Sequence, residues 1–354
     1  MAGPAARSEC IVRRFCPTSA YSSTSARLRA CLLGGCAWSP IVPSRASAIH
    51  TVGRLDGLSG AECGDREGSL MSRLTAALAR IWAIVWRVGL FFLVWGVLLA
   101  GFLVPRLKLL EQVHSLRIQL YVEFAGAVTI VAATWLATHF LDRRPFVTIG
   151  LAPRRLPRHL ALGAVAGMGW IGLSLGVVWL GGWLVYRPGQ VFSWTALLGA
   201  GVALVLNVLT QQLILCGYVL QTIRARAGVP LAIVLAAAMF VGLHATAFRG
   251  AWLPVVNVFL AGFLFCTAYQ LTGQLWFPIG MHAVWNYTVG PLLGLTVSGS
   301  QSLGRGWRVF DLAGPAWLTG GAFGLEGGVI VTATTCLMLV AVAMTLRRGS
   351  RAAR

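Results

Sequence analysis

The sequence predicts an all-α protein that crosses a membrane as a helical bundle of about eight transmembrane helices. The first observation is composition: 57% of the 354 residues are hydrophobic and only 11% are charged, whereas about 25% of the residues of a soluble domain are charged. The second observation is that apolar stretches long enough to cross about 30 Å of hydrocarbon recur along the chain. They cover residues 83–104, 119–140, 160–184, 195–219, 229–247, 254–272, 275–297 and 327–346. Backbone polar groups in lipid must pair within their own segment, so each stretch is expected to be a helix.

The net charge of +19 comes from arginines and lysines that are spread along the chain between the apolar stretches. They do not form one basic face interleaved with aromatic residues, so we expect no nucleic-acid partner. Arginines are concentrated in the loop at 142–159, in the segment after the fourth span and in the C-terminal tail. An even number of spans separates each of these segments from the N-terminus, and the positive-inside rule therefore predicts that both termini are cytoplasmic. We expect a multi-pass protein of the plasma membrane, surrounded by membrane lipids.

The chain divides into four predicted regions. Residues 1–70 are rich in Arg, Ser, Ala and Gly without a long apolar core, so they are expected to be disordered or a mis-assigned N-terminal extension. A transit peptide is an alternative, because such peptides are also rich in Arg and Ser. Residues 71–140 contain the first two spans, residues 141–330 form the core, and residues 331–354 contain the last helix and a basic tail.

Three polar clusters lie inside spans that are otherwise apolar. The fourth span contains Gln211 and Gln212, the fifth contains His244, and the seventh contains His282 and Asn286. An amide or imidazole group in hydrocarbon costs several kcal/mol unless a partner satisfies it. We therefore expect the three segments to converge on one internal site, which is where function is to be sought.

The spacing within two of these clusters is that of a shared helix face. Phe240 lies four residues before His244, and His282 lies four residues before Asn286, so each pair is on one side of its helix. The arrangement resembles the CPBP (CAAX protease and bacteriocin-processing, or Abi) family of intramembrane endopeptidases. The family's motifs are Glu-Glu-x-x-x-Arg, Phe-x-x-x-His and His-x-x-x-Asn on successive helices, and the last two are complete here. The resemblance covers about residues 141–330 and implies a CAAX-protease-like core.

The first motif departs from the family, because Gln211, Gln212 and Cys216 stand where the family has two glutamates and an arginine. Removing one partner of a buried ion pair strands a charge at a cost of about 3–5 kcal/mol, whereas neutralising every member can be nearly neutral. The loss of all three charges therefore indicates a coordinated change. It would keep the shape and hydrogen bonding of the pocket while removing its acids.

The resemblance implies catalytic roles for the remaining polar residues. In the family a glutamate acts with the first histidine to activate water, which implies that role for His244. The last histidine and asparagine stabilise the oxyanion, which implies that role for His282 and Asn286. A general base must accept a proton near neutral pH, and the amides of Gln211 and Gln212 cannot. Proteolysis is therefore expected to be impaired or lost.

Neither another acid nor a bound metal is expected to replace the missing glutamates of the first motif. Glu123 is expected to be an interfacial or ion-paired residue, and Glu326 a charge at the start of the last helix, where a carboxylate is favoured. His244 and His282 are the candidate metal ligands, but a catalytic zinc site normally has three protein ligands and Asn286 is a poor third. The family permits a divalent metal such as zinc; we expect no cofactor and no tightly held zinc here.

The sequence thus predicts a CAAX-type intramembrane endopeptidase homologue whose ligand is a transmembrane or lipidated peptide. Two alternatives stay open. The first is a non-catalytic scaffold or chaperone, whose neutral pocket recognises peptide backbone without cutting it. The second is a small-molecule transporter, since broken helices and intramembrane polar groups are typical of transporters, although the chain has no evident inverted repeat.

Overall fold

The computed structural model describes residues 61–106, 115–188, 193–300 and 310–352, and most of the predicted extension, residues 1–60, lies outside this part. The described part is helical apart from loops and two short strands. Its α-helices are α1 (Ala61–Leu103), α2 (Leu116–Leu136), α3 (Leu156–Leu180), α4 (Trp194–Gln212), α5 (Leu220–Ala227), α6 (Val229–Leu243), α7 (Trp252–Thr272), α8 (Trp276–Tyr287), α9 (Ala316–Thr319) and α10 (Val329–Ala352). Strands β1 (Leu184–Tyr186) and β2 (Phe310–Leu312) pair antiparallel, with Val185 opposite Asp311.

Six described segments are long and apolar enough to span a membrane, so the prediction of an all-α polytopic fold is confirmed. They are Leu70–Arg106, Leu116–Leu141, Phe146–Leu180, Trp194–Ala227, Trp252–Thr272 and Val329–Leu346. The other two predicted spans are shorter helices than the apolar stretches suggested. Helix α6 has 15 residues, and α8 has 12 residues before a π-helical turn, Thr288–Leu292. Pro291 lies in that turn, and a proline cannot donate the backbone hydrogen bond that continues a helix.

A second π-helical turn continues α4 beyond the two glutamines. It spans Leu213–Val219, and all seven of its residues are buried. Such turns shift the register of the side chains that follow and occur often at functional sites. This turn separates the glutamines from α5, whose last turn carries Arg224 and Arg226.

Helices α3 and α8 pack with their backbones in direct contact. A Cβ atom at Gly167 would lie 2.6 Å from the Met281 carbonyl oxygen, and one at Gly280 would clash with the Leu160 carbonyl oxygen. Small residues allow this close approach of membrane helices, and it fixes α8, which carries His282. Gly163, at the same interface, follows the same pattern against Phe277.

Aromatic side chains fill the centre of the bundle around α8. Trp285 is almost fully buried, and its ring centroid lies 3.9 Å from that of Trp170 on α3. Phe265 on α7 meets Trp170 edge-on at 6.2 Å. These rings join α3, α7 and α8 into one wall.

Candidate functional site

The three polar clusters meet at one cavity of about 260 Å³. Its walls come from α2, α3, α4, α6, α7 and α8, from the loop after α8 and from the start of α10. Its most informative polar lining residues are Glu123, Gln211, His244, His282, Asn286 and Glu326. Phe240 and Trp285 line it as well. The fourth, fifth and seventh predicted spans therefore do converge.

His282 lies at the bottom of this site, between two amides. Its Nδ1 is 3.1 Å from Nε2 of Gln212, and its Nε2 is 3.1 Å from Nδ2 of Asn286, one turn later on α8. Gln212 is fully buried and His282 is only 6% exposed. Phe265 stacks on the imidazole with 4.7 Å between ring centroids. Hydrogen bonds and stacking together hold the ring in one orientation.

The partners of His282 limit what the ring can do. A neutral imidazole donates from one nitrogen and accepts at the other, so one of the two amides must present its oxygen to the ring. Gln212 Oε1 has no partner in the described structure, and rotation of that amide would place it on Nδ1. Neither Gln212 nor Asn286 can take up a proton, so His282 has no carboxylate to stabilise its charged form.

His244 is placed differently, at the C-terminal end of α6. Its Nδ1 is 2.9 Å from the carbonyl oxygen of Phe240. A carbonyl only accepts, so Nδ1 carries the proton, and in the neutral ring Nε2 has the free lone pair. His244 is partly exposed and lines the cavity, so this nitrogen can accept a hydrogen bond from a ligand. The Phe240 ring supports the imidazole edge-on at 4.7 Å.

The Gln211 amide belongs to a polar chain that crosses from α4 to α2. Its Nε2 donates to Asn207 Oδ1 at 2.7 Å, and Asn207 Nδ2 donates to Glu123 Oε2 at 3.0 Å. Asn207 and Gln211, four residues apart, thus share one face of α4. Of the two roles expected for Glu123, ion pairing is not seen among the described residues, and the side chain lies on the cavity wall.

Glu326 also differs from the sequence-based expectation. Its Oε1 accepts from Trp285 Nε1 at 2.8 Å, and its Oε2 accepts from both the backbone nitrogen and the hydroxyl of Ser298 at 2.6 Å. Asn257 on α7 donates to the Glu326 and Gly328 carbonyl oxygens. The carboxylate therefore links the loop after α8, through Ser298, to Trp285 on α8. This role goes beyond that of a charge at the start of a helix.

Cys216 lies outside the cavity. It is fully buried, with its Sγ 4.0 Å from Sγ of Cys266 on α7. Where the family motif has an arginine, this chain thus has a thiol packed against a second thiol. That apolar environment agrees with the removal of every charge from the first motif.

The donor set does not fit a zinc ion. Both ring nitrogens of His282 bond to amides, and Nδ1 of His244 bonds to a carbonyl, which leaves Nε2 of His244 as the available nitrogen of the pair. Across the described ranges, no group of three or more His, Cys, Asp or Glu side chains could hold a metal ion. A catalytic zinc would normally need three protein ligands.

The fold and site define an integral membrane protein with a buried polar pocket built from Phe-x-x-x-His and His-x-x-x-Asn helices. Residues 192–288 match the family model described as Rce1-like, type II CAAX prenyl endopeptidase. The match runs from α4 through α8 and contains all five candidate site residues, so the resemblance to the CPBP family is confirmed. No curated protein and no solved structure matches the chain.

Two acidic residues of the cavity lie outside the matched stretch, and sequence reasoning did not place them in the site. Glu123 comes from α2, which precedes the match, and Glu326 comes from the segment before α10, which follows it. The sequence contains only a weak indication that Glu123 belongs to the site. Glu123 is an acid within an apolar span, and such a residue is by default a candidate for a functional site.

Proposed function

We propose that this protein is a CAAX-type endopeptidase homologue that captures a transmembrane or lipidated peptide with proteolysis impaired or lost. The observation that carries the proposal is His282 between two neutral amides, Gln212 and Asn286, each 3.1 Å from a ring nitrogen. General acid–base catalysis contributes about 10²–10⁴-fold to a rate. Without a carboxylate at 211 or 212, that contribution is absent from the positions where the family has it.

The pocket has groups suited to holding a peptide. Gln211 Oε1 is buried without a partner among the described residues, and a buried acceptor left unpaired costs about 1–3 kcal/mol. A backbone N–H of a bound peptide would satisfy it, while Nε2 of His244 could accept a second donor. This supports capture through neutral hydrogen bonds and needs no tightly bound metal.

The location of the protein is part of the proposal. The arginines after α2, those in the last turn of α5 and those of the tail would face the cytoplasm under the positive-inside rule. Both termini would then be cytoplasmic, and the membrane would be the plasma membrane. His244, at the far end of α6 from the arginines of α5, would lie toward the opposite side.

The test restores the family's charged residues. The variant Gln211→Glu/Gln212→Glu/Cys216→Arg and the wild type are purified in nanodiscs and mixed with labelled prenylated and transmembrane peptides, and binding and single-turnover cleavage are measured. We expect saturable binding by both proteins and cleavage by the triple variant, with a gain of about 10²–10⁴-fold. The arginine is included because two buried acids without it would be stranded charges.

The matched control is the triple variant with His244→Ala added, in which cleavage should disappear while peptide binding is weakened by the loss of one acceptor but not abolished. A folded triple variant that binds peptide but stays inactive would contradict the claim that the rest of the machinery survives. Absence of peptide binding by the wild type would contradict the capture function itself.

A further inference from the structure

Acidic residues are few in this chain, and their partners divide them into two groups. Among acids whose side chains the structure describes, Asp142 pairs with Arg87 and Arg144, and Asp311 pairs with Arg187. Glu123 and Glu326 have no ion pair in the same described part. Both unpaired acids line the one cavity that holds His244 and His282, and its described lining contains no lysine or arginine.

The two glutamates are not equivalent. Glu326 accepts three hydrogen bonds that occupy both of its oxygens, and several N–H and O–H donors can compensate a buried carboxylate. Glu123 accepts a single hydrogen bond, from the neutral amide of Asn207 to Oε2. Its Oε1 has no hydrogen-bond partner within the described residues, so Glu123 is the acid of this pocket that lacks compensation.

Glu123 is partly buried, and a carboxylate that is withdrawn from water with one neutral donor is poorly stabilised unless a cation or further donors complete its shell. The rest of the cavity suits a cation, because Trp170, Phe240, Phe265 and Trp285 line it. Aromatic faces attract ammonium groups, more strongly when the groups are desolvated. The unpartnered Gln211 Oε1 is one more acceptor for an N–H donor.

We propose that Glu123 anchors a cationic amine of the bound ligand. The captured peptide would then present a lysine side chain or a free amino terminus to the cavity, with the ammonium group on Oε1 of Glu123. The inference rests on the proposed function in taking this cavity as the ligand site. It goes further in naming the chemistry that selects the ligand, through a residue of α2 outside the matched stretch.

The experiment uses a probe pair that differs in charge and has nearly the same shape. The full-length protein in nanodiscs is titrated calorimetrically with n-hexylammonium chloride and with n-hexanol. In the wild type we expect the ammonium to bind at least about tenfold more tightly, because Glu123 attracts a positive charge more strongly inside a protein cavity than in water. In Glu123→Gln the preference should disappear, and in Glu123→Asp, which keeps the charge, most of it should remain.

The matched control is Asp311→Asn, which removes a negative charge from an acid outside the cavity and should retain the preference. Equal affinity of wild type for both probes, or no binding of hexylammonium, overturns the inference even if Glu123→Gln fails to fold. A preference that survives in folded Glu123→Gln also overturns it. These outcomes differ from a failure of the proposed function, which is a failure of the wild type to bind the prenylated and transmembrane peptides.

Discussion

At the scale of single residues, the site depends on which partners His282 has. Gln212 and Asn286 supply amides at 3.1 Å from its two ring nitrogens, and Gln212 stands where the resemblance implies a glutamate. The size and hydrogen bonding of the replaced side chain are preserved, but its charge is not. The pocket can therefore keep its geometry without a carboxylate at positions 211 and 212.

The hydrogen bond from Gln212 to His282 should contribute measurably to stability. In Gln212→Leu the Nδ1 atom of a buried imidazole loses its partner, and we expect the free energy of unfolding to fall by about 1–3 kcal/mol. The measurement is a denaturant titration in detergent micelles.

Gln270→Leu is the control for that titration, because Nε2 of Gln270 is buried without a partner in the described structure. Replacing a polar atom that is already unpaired should be neutral or stabilising. If the two substitutions cost the same, the bond to His282 contributes nothing beyond ordinary side-chain packing.

At the scale of helices, the position of His282 depends on the contact between α3 and α8. Gly167 and Gly280 let the two backbones approach, and the aromatic wall of Trp170 and Trp285 continues the same interface. The sequence shows that α3 contains several glycines. It does not show which of them contact α8, since that depends on which face of α3 meets α8.

Gly167→Ala should separate these helices. Its Cβ atom would lie 2.6 Å from the Met281 carbonyl oxygen, and overpacking of this kind costs about 1–3 kcal/mol. The free energy of unfolding and the affinity for peptide should both fall, because Met281 is the residue before His282.

Gly172→Ala on the same helix is the matched control, since nothing lies within 4 Å of the Cβ atom it would add. It should be neutral or stabilise α3 by about 0.5–1 kcal/mol, the difference between glycine and alanine inside a helix. Equal losses in both variants would contradict the assignment of Gly167 to the interface.

The limits of α6 and α8 were harder to predict than their existence. Apolar composition predicted spans at 229–247 and 275–297, but α6 stops at Leu243 and α8 passes into a π-helical turn after Tyr287. Hydropathy counts apolar residues whether or not the backbone stays helical. The breaks at His244 and Pro291 depend on local geometry that composition does not report.

At the scale of the whole molecule, residues close in sequence were predicted better than residues close in space. The pairs Phe240–His244 and His282–Asn286 follow from helical spacing alone, and their convergence follows from the cost of burying polar groups. Glu123 and Glu326 were missed as lining residues because α2 and the start of α10 are distant along the chain. Only tertiary packing brings their carboxylates to the cavity.

The most direct measurement of the central claim is single-turnover cleavage by the wild-type protein itself. Excess purified protein in nanodiscs is incubated with prenylated and transmembrane peptides, and bound peptide and cleavage products are quantified together over time. The account predicts peptide that stays bound and intact. Products that form in the wild type as fast as in Gln211→Glu/Gln212→Glu/Cys216→Arg and disappear in His244→Ala would contradict it, because the pocket would then activate water fully without a carboxylate at positions 211 and 212.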